Sequence, residues 1–343
     1  MKTIFMTGGA GFIGSAFVRM VLAERSDITI VDFDALTYAG NLENLAGVDG
    51  SRHTFIKGDI CDREAVMAAV PERCDAIFNF AAESHVDRSI HSADEFLRTN
   101  VIGTQVLLDA ARARRVRRFV QISTDEVMGS LPDDSDDYFT EESPLQPNSP
   151  YAASKAAAEF VVRAAGETHG VDAVVTRCGN NYGPRQFPEK LIPLMIANAM
   201  NDEPLPVYGD GRNVRDWIYV DDHCRAIWAV YERGRSGEAY NIGARNEQEN
   251  INVVKSILGA LGKPHSLIKF VTDRLGHDRR YAIDPTKVET ELGWKPKVTW
   301  ADGLATTIKW YQENQAWVEH VRSGEYKEYY KAMYGTSLAV SEK

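Results

Sequence analysis

Thr7-Gly-Gly-Ala-Gly-Phe-Ile-Gly14 is the segment that most strongly indicates how this chain of 343 residues folds. An apolar run typical of a short strand precedes it, and residues 15–24 after it have the apolar spacing of a helix. In such a unit, Gly8, Gly11 and Gly14 allow a tight turn, a close approach of backbone to a pyrophosphate, and close packing of helix on strand. The free N–H groups at the helix N-terminus then bind phosphate. The segment therefore predicts a dinucleotide-binding site.

Asp34 indicates which dinucleotide is bound. It ends a predicted strand over residues 28–33 and follows Gly14 by the roughly 20 residues expected of the acid that accepts hydrogen bonds from the adenosine ribose. A carboxylate at this position repels a 2′-phosphate, and no arginine occurs in residues 34–38. The sequence therefore favours NAD over NADP.

Strands and helices alternate through the first half of the chain, a pattern typical of a doubly wound parallel sheet, the Rossmann arrangement. After residue 180, frequent prolines break this alternation. We therefore predict a NAD-binding domain over residues 1–180 and a smaller, mixed α/β substrate-binding lobe over residues 181–335, with the chain free to cross back between them. Further predictions are a long helix over residues 300–320 and a frayed tail over residues 336–343.

Two groups of reactive side chains are predicted to meet at one edge of the sheet. Asp125 and Glu126 directly follow a predicted strand over residues 116–122, and ligands bind outside the carboxyl ends of such strands. Tyr151 and Lys155 stand four residues apart, on one face of a predicted helix. An ammonium beside a phenol favours the phenolate, so Tyr151 is predicted to act as a base near neutral pH.

The composition excludes several other classes of protein. The formal net charge of −10 argues against nucleic acid or an anionic membrane surface as the main partner. There is no signal peptide and no apolar run long enough to span a bilayer, so we predict a cytoplasmic protein. The cysteines are widely spaced, which indicates free thiols and no metal site; they are Cys61, Cys74, Cys178 and Cys224.

Several further segments carry a resemblance to known enzymes, together with the glycine motif and the Tyr151/Lys155 pair. They are Ala81-Ala-Glu-Ser-His-Val-Asp-Arg-Ser89, Ser123-Thr-Asp-Glu-Val127, Asn181-Tyr-Gly-Pro184, Pro188-Glu-Lys-Leu-Ile-Pro193 and Gly276-His277. The chain resembles the extended short-chain dehydrogenase/reductases that act on nucleotide sugars, and within them the 4,6-dehydratases of dTDP-glucose. The likeness runs from residue 1 to about residue 335. Two positions depart from the family pattern: Met128 stands where tyrosine is usual, and Arg185 where an uncharged side chain is usual.

The resemblance implies a reaction and a role for each catalytic residue. Tyr151 takes the proton of the sugar C4 hydroxyl as a hydride leaves for NAD, Lys155 lowers the tyrosine pKa and binds the nicotinamide ribose, and Thr124 binds the C4 oxygen. Glu126 then removes the C5 proton, and Asp125 protonates the departing C6 hydroxyl. The hydride returns to C6, so NAD is regenerated. This scheme needs Asp125 protonated and Glu126 ionised.

The same resemblance implies two sets of binding residues. The NAD site is expected to be formed by Gly8, Gly11, Phe12, Ile13, Gly14, Asp34, Leu36, Thr37, Asp59, Ile60, Phe80, Ala81, Ala82, Thr99, Tyr151, Lys155 and Asn181. The nucleotide diphosphate sugar is expected to contact Ser84, Thr124, Asp125, Glu126, Asn180, Lys190, Leu191, Pro206, Tyr208, Arg215, Asn250, Arg274 and His277.

Several alternatives stay open from the sequence. A UDP-glucose 4,6-dehydratase differs by one methyl group on the base, worth only about 1–3 kcal/mol in a binding pocket. A nucleotide-sugar 4-epimerase needs Tyr151 and Lys155 but neither acid, and a non-catalytic NAD-binding protein needs none of these groups. We also expect a homodimer, formed through helices predicted over residues 99–113 and 152–165.

Overall fold

The computed structural model describes residues 1–133 and 135–323. The predicted frayed tail lies outside the described residues, as do the last residues assigned to the second lobe. Among the described residues, no helix combines the length and the apolar composition needed to cross a membrane.

Within the described part of the chain, seven parallel strands form the main sheet in the order β10-β6-β5-β4-β1-β2-β3. A small three-stranded sheet has the order β11-β9-β7, and β8 pairs with β12. The strands are β1 (Lys2–Thr7), β2 (Ile28–Asp34), β3 (His53–Lys57), β4 (Ala76–Asn79), β5 (Phe119–Thr124), β6 (Ala173–Cys178), β7 (Asn180–Tyr182), β8 (Leu205–Tyr208), β9 (Val214–Tyr219), β10 (Ala239–Ile242), β11 (Glu247–Glu249) and β12 (Ile268–Val271).

Helices cover both faces of the main sheet, and a separate group of helices surrounds the smaller sheets. The helices are α1 (Phe12–Glu24), α2 (Arg63–Ala69), α3 (Val86–His91), α4 (Asp94–Phe96), α5 (Thr104–Ala113), α6 (Pro150–His169), α7 (Leu191–Met200), α8 (Val220–Arg233), α9 (Asn250–Leu261), α10 (Thr286–Leu292), α11 (Trp300–Glu313) and α12 (Gln315–Val321). A π-helical turn, Leu97–Gly103, joins α4 to α5, and 3₁₀ turns occupy Leu42–Leu45, Asp125–Met128 and His265–Leu267.

Three hydrophobic clusters account for this layering. One packs α1 and α8 on one face of the main sheet, where the Phe17 and Phe78 ring centroids lie 4.8 Å apart. A second packs α2, α5 and α6 on the opposite face. The third joins α7, α9, α11 and α12 around the smaller strands. The result is a doubly wound sheet with a second, smaller lobe, as the sequence predicts.

Two features of the later chain bear on these predictions. Strand β10 lies at the edge of the main sheet, parallel to β6, so chain beyond residue 180 returns to the first domain. The helix predicted over residues 300–320 is interrupted at Asn314, whose φ of −122° and ψ of 42° are not helical, so α11 and α12 are separate. A domain boundary near residue 180 stays a prediction.

Candidate active site

A cavity of about 760 Å³ runs from the glycine turn after β1, past the carboxyl end of β5, to the second lobe. All of the predicted catalytic, cofactor and substrate residues except Leu36 line it. Because the carboxyl ends of parallel strands meet at one edge, this position is the expected one for a ligand site in an open α/β sheet.

The glycine turn has room for backbone only. Gly8 adopts a φ of +74°, and a Cβ there would lie 2.7 Å from the Ala81 nitrogen. A Cβ on Gly14 would lie 2.1 Å from the carbonyl oxygen of Gly8. Side chains are therefore excluded at Gly8 and Gly14, which leaves backbone that a pyrophosphate can approach closely. The turn fits NAD.

Asp34 lies at the end of β2 and is fixed by backbone. Its carboxylate accepts hydrogen bonds from the N–H groups of Ala10 (3.0 Å) and Leu36 (2.7 Å), and burial raises its pKa. Leu36 was predicted to line the NAD site, but it is not among the residues that line the cavity. It has a φ of 53° and donates its N–H to the Asp34 carboxylate. Asp34 itself faces the cavity, in place to accept from a ribose hydroxyl.

Tyr151 and Lys155 lie in the first turns of α6, which begins at Pro150 with the Ser149 hydroxyl capping the Ala152 N–H at 3.1 Å. The Lys155 Nζ donates to the carbonyl oxygen of Ile122 at 2.6 Å, which ties the helix to β5. Burial lowers the pKa of Lys155 to about 8.

The pKa of Tyr151 moves in the direction opposite to the sequence prediction. Burial raises it well above its usual value, the negative charges of Glu126, Cys178 and Asp125 add to the rise, and a hydrogen bond with Thr124 offsets part of it. The expected lowering by Lys155 is therefore wrong for the protein's own groups. The physical reason is that the ammonium is directed to the Ile122 carbonyl, while the acids lie close to the phenol.

Asp125 and Glu126 occupy the 3₁₀ turn after β5 but have different surroundings. Asp125 is 1% exposed; burial and the neighbouring charge of Glu126 raise its pKa well above the usual range. Burial also raises the pKa of Glu126, but Arg274, Lys190 and Arg215 oppose this shift. Both pKa values are raised, but the rise is larger at Asp125, where one cation, Arg215, opposes it, than at Glu126, where three cations do. Of the two acids, Asp125 therefore holds a proton more readily, which is the order that the reaction requires.

The cations of the second lobe are held rigidly. The Arg215 guanidinium donates to the carbonyl oxygens of Val214 (2.7 Å) and Asp278 (2.8 Å) and stacks 4.1 Å from the centre of the Tyr281 ring. Lys190 Nζ donates to the carbonyl oxygen of Ser84 at 2.7 Å. Such fixed cations suit a diphosphate.

Two other predicted substrate residues, Tyr208 and His277, are hydrogen-bonded to acids that the sequence analysis did not predict. The Tyr208 hydroxyl donates to Asp87 (3.1 Å), and His277 Nδ1 lies 2.6 Å from Asp273 Oδ1 while burial lowers the pKa of His277 to about 4. Missed residues that line the cavity include Asp87, Gln186, Glu189, Trp217 and Tyr281. Asp87 and Glu189 stand inside motifs that carry the family resemblance, so their position in those motifs was the available signal.

The two departures from the family pattern lie outside the cavity lining. Met128 is buried in a small cluster with Val127, Phe139 and Ile283. Arg185 places its guanidinium carbon 5.3 Å from the centre of the Trp310 ring on α11. Neither side chain faces the bound-ligand space.

Comparison with known proteins agrees with this geometry. The family model described as GDP-mannose 4,6 dehydratase matches residues 5–307. A dTDP-glucose 4,6-dehydratase of Xanthomonas campestris pv. campestris (strain B100) is 51% identical, over 95% of this chain and 98% of that protein. The chain belongs to the dTDP-glucose 4,6-dehydratase family.

Solved structures extend the comparison to the fold and the cofactor. The dTDP-glucose 4,6-dehydratase DesIV from Streptomyces venezuelae, solved with NAD bound, is 50% identical with a TM-score of 0.90, covering 93% of this chain and 99% of that one. A UDP-glucose 4-epimerase from Thermotoga maritima is 28% identical with a TM-score of 0.83, covering 91% of this chain and 99% of that one. The fold is therefore shared with epimerases, whereas the high identity lies with dTDP-glucose 4,6-dehydratases. The predicted family, fold class, dehydratase function and NAD cofactor are confirmed.

Proposed function

We propose that this chain converts dTDP-glucose to dTDP-4-keto-6-deoxyglucose with Thr124, Asp125, Glu126, Tyr151 and Lys155 as its catalytic residues. The observation that carries the proposal is the difference between two adjacent acids: Asp125 is 1% exposed and influenced by one cation, Arg215, whereas Glu126 is influenced by Arg274, Lys190 and Arg215. A 4-epimerase has no use for such a pair.

The geometry supports one role for each group. NAD would be held by the glycine turn, Asp34 and Lys155, and it would supply the acceptor for the C4 hydride and the donor of the hydride to C6. Tyr151 accepts the C4 hydroxyl proton, and Thr124 binds the C4 oxygen. Glu126 then removes the proton from C5, which the C4 ketone has acidified, and Asp125 gives its proton to the C6 hydroxyl, which leaves as water.

The chain's own groups also account for substrate orientation. Arg215, Arg274 and Lys190 gather positive charge at one end of the cavity, where a diphosphate is bound, and the same charges favour the ionised form of Glu126. The same three cations would therefore bind the substrate and favour the ionised, proton-accepting form of Glu126.

The test is Glu126→Gln, which preserves size but removes the base. Elimination should slow by about 10²–10⁴-fold, the usual contribution of a positioned acid or base. Oxidation at C4 should continue, so reduced-nicotinamide absorbance should build up after dTDP-glucose is added, and exchange of the C5 hydrogen with deuterated water should fall.

Asp125→Asn is the matched control for that experiment. It should leave C5 exchange running while loss of the C6 hydroxyl lags, because only the proton donor is removed. Product formed by Glu126→Gln at the unmutated rate would show that the base is misassigned. Parallel assays with UDP-glucose measure the preference for the nucleotide, since UDP-glucose lacks the thymine methyl group and carries a 2′-hydroxyl on its ribose.

A homodimer is proposed on a separate observation. Leu97 (47% exposed), Ile102 (55%) and Phe160 (57%) are large apolar side chains on the π-helical turn before α5 and on α6, which pack against each other. A second copy would cover this face. Sedimentation that gives a monomer at micromolar concentration would refute the dimer. The cytoplasmic location stays a prediction from the sequence.

A further inference from the structure

Asp87 is a buried acid that the proposed reaction does not use. It lies in the first turn of α3 in the NAD-binding half, is 4% exposed, and lines the active-site cavity. A buried carboxylate is costly unless its charge is paired and its oxygens are hydrogen-bonded. The position of its partners therefore shows what its charge is used for.

Each oxygen of Asp87 has a partner in the second lobe. Oδ2 accepts from the Tyr208 hydroxyl at 3.1 Å, and Oδ1 from the Arg274 guanidinium at 3.3 Å. Tyr208 ends β8, and Arg274 follows the end of β12, which pairs with β8 in the register Val271↔Tyr208. One carboxylate on α3 thus fixes two side chains at the carboxyl ends of a strand pair from the other half of the molecule.

Arg274 is also the cation with the largest effect on the catalytic base. The positive charge of Arg274 is the main influence that lowers the pKa of Glu126 against burial, and the negative charges of Asp87 and Glu126 raise the pKa of Arg274. Its buried Nε has no hydrogen-bond partner among the described residues, so one donor stays available to a ligand in the cavity. The guanidinium is anchored at one end only.

We infer that Asp87 is a positioning residue that holds Arg274 in the geometry in which it receives the diphosphate of the nucleotide sugar, and that it also orients Tyr208 at this end of the cavity. The inference rests on the proposed function, because it assigns the substrate end of the cavity. Asp87 acts through its two partners and takes no part in proton transfer. Asp87 keeps the Arg274 side chain from turning toward Glu126 or away from the cavity.

The test separates the two hydrogen bonds that the Asp87 carboxylate accepts, one from Arg274 and one from Tyr208. Asp87→Asn keeps an oxygen that accepts from Tyr208 but removes the charge that pairs with Arg274, and Tyr208→Phe removes only the hydroxyl. Asp87→Asn should raise the KM for dTDP-glucose by about 10-fold, as expected for loss of a charged hydrogen bond, with kcat changed less than about threefold. Tyr208→Phe should raise KM less. The Kd for NAD, measured by titration, should be unchanged in both.

A double-mutant cycle with Arg274→Lys gives the decisive measurement. If Asp87 works through Arg274, Asp87→Asn should add little to the KM of Arg274→Lys, so the effects are not additive. Additive effects, or a lower melting temperature with unchanged KM, would overturn the inference and leave Asp87 a structural residue. If Asp87→Asn does not fold, Asp87→Glu keeps the charge, and an unchanged KM for it would also overturn the inference, because a longer side chain must displace the guanidinium.

Failure of the proposed function gives a different result. In that case the unmutated chain forms no 4-keto-6-deoxy product from dTDP-glucose by mass spectrometry. A chain that is active but insensitive to Asp87→Asn refutes only the positioning role.

Discussion

The two ends of the active-site cavity are built by different means. At the NAD end, the surface is made by backbone: the glycine turn, the N-terminus of α1 and the small residues Ala81 and Ala82 leave no room for anything larger. At the substrate end, long charged side chains such as Lys190, Arg215 and Arg274 reach the cavity from separate elements.

This difference shows how each end can be changed. At Gly8 and Gly14 the backbone surface has no space for an added atom, since neighbouring backbone cannot move aside as a flexible side chain can. A surface of side chains can lose one group at a time, with a graded loss of binding. Mutations at the two ends should therefore differ in size and in which ligand they affect.

Gly14→Val should produce the largest effect. The new Cβ would lie 2.1 Å from the carbonyl oxygen and 2.8 Å from the carbonyl carbon of Gly8, both backbone atoms. Because both obstructing atoms belong to the backbone, we expect the upper end of the usual cost of overpacking, about 3 kcal/mol, which would lower NAD affinity by roughly 100-fold in calorimetric titration.

Gly11→Ala is the matched control at the same turn. Its nearest neighbour, the Gly8 carbonyl oxygen, would lie 3.2 Å from the new Cβ, so a shift of a few tenths of an ångström suffices and the loss should be much smaller. If Gly14→Val binds NAD as tightly as Gly11→Ala does, the turn is not a backbone-built cofactor surface and the contrast between the two ends fails.

Arg215→Lys should give an intermediate effect, confined to the substrate. Lysine keeps the charge but lacks the planar fork that donates to the Val214 and Asp278 carbonyls while stacking on Tyr281. Since hydrogen bonds to charged groups are worth about 1.5–3 kcal/mol, the KM for dTDP-glucose should rise by about 10–100-fold. Exposed Arg212, on the segment just before β9, gives the control Arg212→Lys, which should leave KM unchanged. A parallel loss of NAD affinity would mean that the two ends are not independent.

The same contrast explains what the sequence could predict. The glycine turn, Asp34 and the Tyr151/Lys155 pair were found because each depends on a fixed spacing along the chain. The substrate residues came from the family resemblance alone, since Lys190, Arg215 and Arg274 meet only through the packing of the second lobe. Asp87 was missed for this reason: its partners, Tyr208 and Arg274, lie far from it in sequence.

Three other outcomes needed information that no local pattern carries. The direction of the Tyr151 pKa depends on burial and on acids brought near by the fold. Leu36 was assigned to the NAD site by the family resemblance, but it adopts a φ of 53° and donates its N–H to the Asp34 carboxylate. The break at Asn314 is set by backbone angles, a φ of −122° and a ψ of 42°, which the spacing of apolar residues does not reveal.

Arg185→Gln should have the smallest effect, and it tests where the substrate end stops. Arg185 departs from the family pattern next to a conspicuous motif, yet its side chain packs on Trp310 and does not line the cavity. Its φ of 68° is equally unfavourable for glutamine, so the substitution removes the cation–ring contact without changing backbone strain. The free energy of unfolding, measured by urea titration, should fall by about 0.5–1 kcal/mol, the usual value of such a contact at a partly exposed site. The KM for dTDP-glucose should stay unchanged, because Arg185 does not line the cavity. The neighbouring Gln186 does line it, and its side chain is held by a hydrogen bond to the Asn181 carbonyl (2.9 Å) that does not involve Arg185. A tenfold rise in KM with unchanged stability would show that the substrate end extends to Arg185, and that side chains outside the cavity lining also contribute to it.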